Sequence, residues 1–132
     1  MRADGIINAQ LARVLAELRH TDLLVISDSG LPVARGGPEV VDLAVVYGVP
    51  SFEAVLRAVT GEIVVEAATA AAEITEANPA GLALLEETLD CELELVGHED
   101  FKARTARARA VVRTGEAAPY ANVLLRCGVP FA

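Results

Sequence analysis

The chain has no tryptophan, one methionine, two cysteines and two histidines among its 132 residues. Cys91 and Cys127 stand alone, without CxxC or CxxH spacing, so a disulfide framework, a metal knuckle and a redox pair all lack their residues. Both read as packed thiols. Aromatics are equally scarce. Three Phe and two Tyr do not supply the stacking platform of a single-strand nucleic-acid binder. Eleven Lys and Arg face nineteen Asp and Glu, for a net charge of -8, which opposes association with nucleic acid or an anionic membrane surface. The one local basic cluster, Arg104, Arg107, Arg109 and Arg113, reads as a solvated helix face or a contact between subunits. Long apolar runs are missing too. The longest uncharged stretch, Leu43 to Phe52, is ten residues, against the roughly 20 a membrane-spanning helix needs. Met1 to Ala12 lacks the basic start and continuous apolar core of a secretory signal, so a cytoplasmic location is expected.

What is abundant is aliphatic side chain. Apolar residues make up 53% of the chain and charged residues 23%, the former slightly above the roughly 45–50% typical of soluble domains. A chain of this length can bury a substantial core as one domain over residues 1–132 without a covalent staple. The apolar surplus implies surface buried between subunits.

The periodicity switches repeatedly between helix and strand. Asn8 is placed to cap a helix with Leu11, Val14, Leu15 and Leu18 on one face, ending near Arg19 or His20. Leu23 to Ile26 reads as a short buried strand. Glycines and prolines punctuate residues 30–38, and Val40 to Tyr47 resumes as an apolar, β-branched strand. Ser51 is placed to cap a helix to about Thr60. Ile63 to Glu66 reads as a strand, Ala67 to Ala77 as a helix by propensity, and Asn78-Pro79 starts another helix. Cys91 to Val96 alternates like a strand with one wet face, and His98 to about Arg107 is helical. Ala110 to Arg113 and Tyr120 to Arg126 close the pattern as strands around a turn at Thr114 to Pro119. The alternation predicts a layered α/β/α fold with a largely parallel or mixed sheet.

Chemistry-bearing residues are few. The stretch from His20 to Pro32 sets an imidazole before a short apolar run and Asp28 just after it. The loops at strand ends are where open α/β sheets present ligand-contacting groups. Taken alone, His20 and His98 read as helix-end residues and Asp28 as an Asx turn. No P-loop, GxGxxG, GxSxG or HExxH occurs.

Six blocks in order change the weighting. They are His20-Thr21-Asp22, Ser27 to Pro32, Gly48-Val49-Pro50, Glu66 with Ala70 to Ile74, His98 to Lys102, and Val112 to Asn122. Together they resemble the D-ribose pyranase family over nearly the whole chain. Two positions depart from its commoner pattern: Arg19 stands where glycine is usual, and Ser29 where alanine is frequent.

The resemblance implies a ribose pyranase-like fold and an isomerase that interconverts the pyranose and furanose forms of free D-ribose without a cofactor or metal, supplying furanose for ribose catabolism. Such a reaction opens a hemiacetal and recloses it through another hydroxyl, so only protons move. A group titrating near neutrality serves best, as histidine does. By the family pattern His20 is the proton donor. Asp28, His98, Tyr120, the backbone of Ala121, and Asn122 bind the sugar, and Lys102, four residues after His98, is a further sugar contact. The resemblance also implies a homo-oligomer, a pentameric ring or two rings stacked as a decamer, with sites shared between subunits. The other readings are a mutarotase for L-fucose or another sugar, and a noncatalytic sugar-binding oligomer.

Overall fold

The computed structural model describes residues 1–132 and contains one six-stranded sheet in the order β2-β5-β1-β6-β3-β4. The strands are β1 (Leu23–Ser27), β2 (Glu39–Asp42), β3 (Val65–Ala71), β4 (Leu93–Val96), β5 (Ala110–Arg113) and β6 (Val123–Cys127). β1 pairs in parallel with β5, β5 with β2, and β3 with β4, whereas β6 is antiparallel to both β1 and β3. Five strands therefore share one direction and the inserted β6 opposes them, which makes the sheet mixed, as the alternation of elements predicts.

The helices are α1 (Ala9–Glu17), α2 (Phe52–Thr60), α3 (Ile74–Ala77), α4 (Pro79–Thr88) and α5 (His98–Thr105). Three start where a short polar side chain can satisfy a free amide. Asn8 accepts from the Leu11 amide, Ser51 from Ala54, and Asn78 from Gly81, with Pro79 in the first turn. None of the helices is long and apolar enough to cross a membrane.

Alternate residues of each strand feed opposite faces of the sheet. Leu24, Ile26, Val112, Val123 and Leu125 join α1 to α4 in the larger core through Leu11, Val14, Leu56, Ile74 and Leu85. Val25, Val111 and Leu124 point the other way and pack with Phe101 of α5. The result is α/β/α with unequal layers, four helices on one face and one on the other.

Three predicted elements differ from those observed. The alanine-rich segment expected to be a helix over 67–77 is mostly strand β3, and only Ile74–Ala77 is helical. Helix propensity favours alanine by less than about 1 kcal/mol per residue. Here both neighbouring strands hydrogen-bond the segment, and Ala70 and Ala71 are fully buried. The strand expected over Val40 to Tyr47 ends at Asp42, because β2 is an edge strand whose only partner, β5, ends at Arg113. Val45, Val46, Tyr47 and Val49 instead form an exposed apolar loop. The last strand starts at Val123 rather than Tyr120, because Tyr120 has positive φ (55°) and turns the chain before the ladder begins.

Phe101 is the largest fully buried side chain of the thinner layer. Phe101→Ala is expected to cost about 3–5 kcal/mol, seen as a lower urea midpoint with an unchanged slope.

Candidate active site

Because β1, β3, β4 and β5 end at the same edge at which β6 begins, the loops there converge. Asp28 follows β1, Glu73 follows β3, His98 follows β4, and Thr114 to Asn122 lead from β5 into β6. This is the carboxyl edge of the parallel strands, the usual ligand side of an open α/β sheet. A cleft of about 350 Å³ opens among Asp28, Leu31, His98, Glu116, Tyr120 and Asn122, at the small end of the roughly 300–1,000 Å³ range of ligand sites.

The cleft's polar groups hold one another. Asn122 is almost fully buried. Its side-chain oxygen accepts from the Asp28 amide at 2.9 Å and its Nδ2 donates to Asp28 Oδ2 at 3.1 Å. Asp28 Oδ1 accepts from the Gly30 amide at 2.9 Å, closing the Asx turn read in the sequence. The carboxylate is thus fixed through both oxygens while keeping acceptor capacity for a ligand. The His98 ring meets Tyr120 edge to face with centroids 5.0 Å apart, and its Nδ1 is buried without a hydrogen-bond partner. Its backbone amide donates to both Glu73 carboxylate oxygens at 3.1 Å, so an acid from the β3 loop caps α5.

Sequence reasoning did not single out Glu116 for a role. Its carboxylate accepts from the amides of Phe52, Ala117 and Ala118. Its carbonyl accepts from both the amide and the hydroxyl of Ser29. It therefore joins the start of α2, the loop after β1 and the loop before β6. Only the turn chemistry of Thr114-Gly115-Glu116 hints at this, because the partners lie 64 and 87 residues away. The Ser29 hydroxyl adds a bond that alanine could not make.

The other predicted residues lie elsewhere. Ala121 is buried and does not line the cleft. Lys102 pairs with Glu99 at 2.9 Å and is not among the lining residues either. His20 precedes β1, at the opposite end from Asp28, and a five-residue strand spans about 13 Å. It lies by a separate groove formed by Leu15, Leu18, Ile63, Val64, Val129 and Phe131. There His20 Nε2 is 3.1 Å from Glu66 Oε2, and Glu66 Oε1 is 2.9 Å from Arg126 Nε. Arg19 turns its guanidinium back onto the carbonyls of Ala16 and Leu18, capping the end of α1. Thr21 and Tyr120 are the two residues other than glycine with positive φ, at 71° and 55°. One adjoins His20 and the other lines the cleft, so both places carry backbone strain of the kind stored at functional sites.

Similarity to known proteins follows the same outline. Residues 1–130 match the model of the RbsD / FucU transport protein family. The chain is 58% identical to D-ribose pyranase 1 of Rubrobacter xylanophilus and 55% identical to D-ribose pyranase 2 of Streptomyces griseus, each over 99% of this chain and 100% of the relative. The structure of Bacillus subtilis RbsD complexed with D-ribose superposes with a TM-score of 0.95 at 44% identity, covering 99% of this chain and 100% of that one.

The His20 end also holds Cys127, whose thiol is pushed up to about 11 by burial and, beyond that, by the nearby carboxylates of Asp22 and Glu66. A raised thiol stays protonated at neutral pH, and the thiolate is the nucleophile. Alkylation of Cys127 by iodoacetamide at pH 8 is expected to be on the order of a hundredfold slower in the folded protein than in the unfolded chain, as followed by mass spectrometry.

Proposed function

The chain belongs to the RbsD / FucU transport protein family, and from that premise and the geometry of the cleft we propose that it interconverts the pyranose and furanose forms of D-ribose. The observation that carries this reading is identity of 55–58% over the full length of relatives named D-ribose pyranase. The cleft supports it in kind: small, with a fixed carboxylate, an amide, an imidazole and a phenol converging on it. Such groups match the hydroxyls of a free monosaccharide, which need directed donors and acceptors. The reading includes a cytoplasmic location.

The reaction asks little of the protein beyond proton management. As the bond between the anomeric carbon and the ring oxygen breaks, its electron pair goes to the ring oxygen, which takes a proton while the anomeric hydroxyl gives one up. Closure by another hydroxyl onto the aldehyde runs the same exchange backwards, and no net proton is consumed. His20 is the proton donor in this reading, an imidazole being suited to both directions near neutral pH. Asp28, His98, Tyr120 and Asn122 hold the sugar, with the backbone of Ala121 and with Lys102 at the margin.

Within one chain His20 and the cleft lie at opposite ends of β1, so this reading requires a second copy to bring them together. The exposed loop of Val45, Val46, Tyr47 and Val49 is hydrogen-bonded to Gly115, the neighbour of cleft-lining Glu116, and His20 borders the apolar groove with Phe131. Docking the loop of one copy on the groove of the next is head to tail, the arrangement that closes into rings. The assembly in this reading is a pentamer or a pair of stacked pentamers.

Saturation transfer between the pyranose and furanose anomeric signals of D-ribose tests the activity. The wild type is expected to accelerate exchange, and His20→Ala to reduce the acceleration by about 10²- to 10⁴-fold. No acceleration for ribose but acceleration for L-fucose would replace the substrate, and none for either sugar would favour a noncatalytic binder.

Mixing tests the shared site. His20→Ala and Asp28→Ala, each inactive alone, are expected to recover about a quarter of the wild-type activity when coassembled at random, since that share of head-to-tail contacts joins two intact halves. No recovery would place both halves in one chain.

A further inference from the structure

The groups around His20 are assembled by register. Arg126 of β6 stands opposite Leu23 on one side and Ala67 on the other, so the end of β6 lies between the start of β1 and the start of β3. The pairing of β3 with β6 slips between Val65 and Ala67, which makes Glu66 the extra residue of a bulge. A bulge re-aims one side chain out of the ordinary alternation, and bulges gather beside active sites. Here the re-aimed side chain meets His20.

The carboxylate divides its oxygens, with Oε2 at 3.1 Å from His20 Nε2 and Oε1 at 2.9 Å from Arg126 Nε. An ionised carboxylate can only accept, so the imidazole nitrogen facing it has to carry hydrogen. The hydrogen bond made by one ring nitrogen fixes which nitrogen is left for chemistry. The backbone is fixed as well: Thr21, β-branched and at φ 71°, donates its amide to the Cys127 carbonyl at 2.9 Å. Both the ring and the main chain at His20 are thus set from β6 and β3.

We infer that Glu66, held by Arg126, positions His20 for proton transfer by keeping the neutral ring protonated at Nε2 and presenting Nδ1 as the reacting nitrogen, whose lone pair takes the proton of the anomeric hydroxyl and, as the imidazolium, gives a proton to the ring oxygen. The inference rests on the reading of His20 as the proton donor. Stability is not what the contact supplies. The His20 side chain is 53% exposed and that of Glu66 34%, and ion pairs so open to water contribute little to folding. Orientation is what remains, as in other sites where a carboxylate fixes a histidine tautomer.

The test compares wild type, Glu66→Leu, Glu66→Gln and His20→Ala by ribose exchange kinetics, together with long-range ¹⁵N–¹H spectra of histidine-labelled protein. Wild-type His20 is expected as the Nε2–H tautomer. Glu66→Leu is expected to mix the tautomers and lower kcat by about 10- to 100-fold with KM little changed. Glu66→Gln keeps an acceptor oxygen and is expected to restore the tautomer and lose less rate than leucine. If His20→Ala abolishes exchange while Glu66→Leu leaves both kcat and the spectrum as in wild type, the inference is overturned and the reading of His20 stands. If Glu66→Leu raises KM alone with the tautomer intact, the inference is equally overturned. If His20→Ala retains exchange, the reading of His20 itself fails.

Discussion

Strand β6 is the element on which both ends of the molecule depend. It runs against its neighbours in the middle of the sheet, paired to β1 on one side and β3 on the other. Without it the β2-β5-β1 and β3-β4 ladders would be separate sheets, the second of only two strands and too small to be stable by itself. Its opposite direction matters as much as its position. The chain enters β6 at the carboxyl edge of the other strands, bringing Tyr120 and Asn122 to Asp28. It leaves at the amino edge, bringing Arg126 to Glu66 and the Cys127 carbonyl to Thr21.

At the carboxyl edge the consequence is a polar cleft built before any ligand arrives. A buried asparagine that lacked partners would cost on the order of 1–3 kcal/mol. Asn122 avoids this by pairing with Asp28 through both the oxygen and the nitrogen of its side-chain amide. The pairing places a carboxylate at the base of the cleft with its geometry settled, so a sugar would not have to order it on binding. Gly115 makes the support beneath possible, because a Cβ there would come within 2.5 Å of the Val46 carbonyl oxygen. The apolar loop of Val45 to Val49 is thus fastened to the same turn that carries Glu116.

Much of this was legible in the sequence where the signal is local. The caps at Asn8, Ser51 and Asn78, the helical stripe of Leu11 and Val14, and the buried run of Leu23 to Ile26 all follow from neighbours within a few residues. The alanine-rich β3 was not legible, because alanine carries little β signal of its own and its strand character is imposed by β6 and β4. Asp28, His98, Tyr120 and Asn122 line one cleft, and nothing in their spacing could show that Asn122 reaches Asp28 across 94 positions. The placement of Glu66 depends on a bulge, a one-residue slip that periodicity does not reveal between two valines and two alanines.

The distance between the two halves is itself a constraint on how such a protein can work. A strand cannot be shortened to bring His20 to Asp28, since β1 supplies Leu24, Val25 and Ile26 to both cores. Nor can β6 bend, because it is paired on both sides. If the His20 ring is to serve a cleft, that cleft has to belong to another copy, and each copy displays an apolar loop beside its cleft and an apolar groove beside His20. Under such an arrangement a subunit alone would lack both His20 at its cleft and cover for its apolar surface, so assembly and activity would become one requirement. The fixed ring of His20 then matters more, because alignment across an interface leaves fewer contacts to correct a misplaced side chain than alignment within a core.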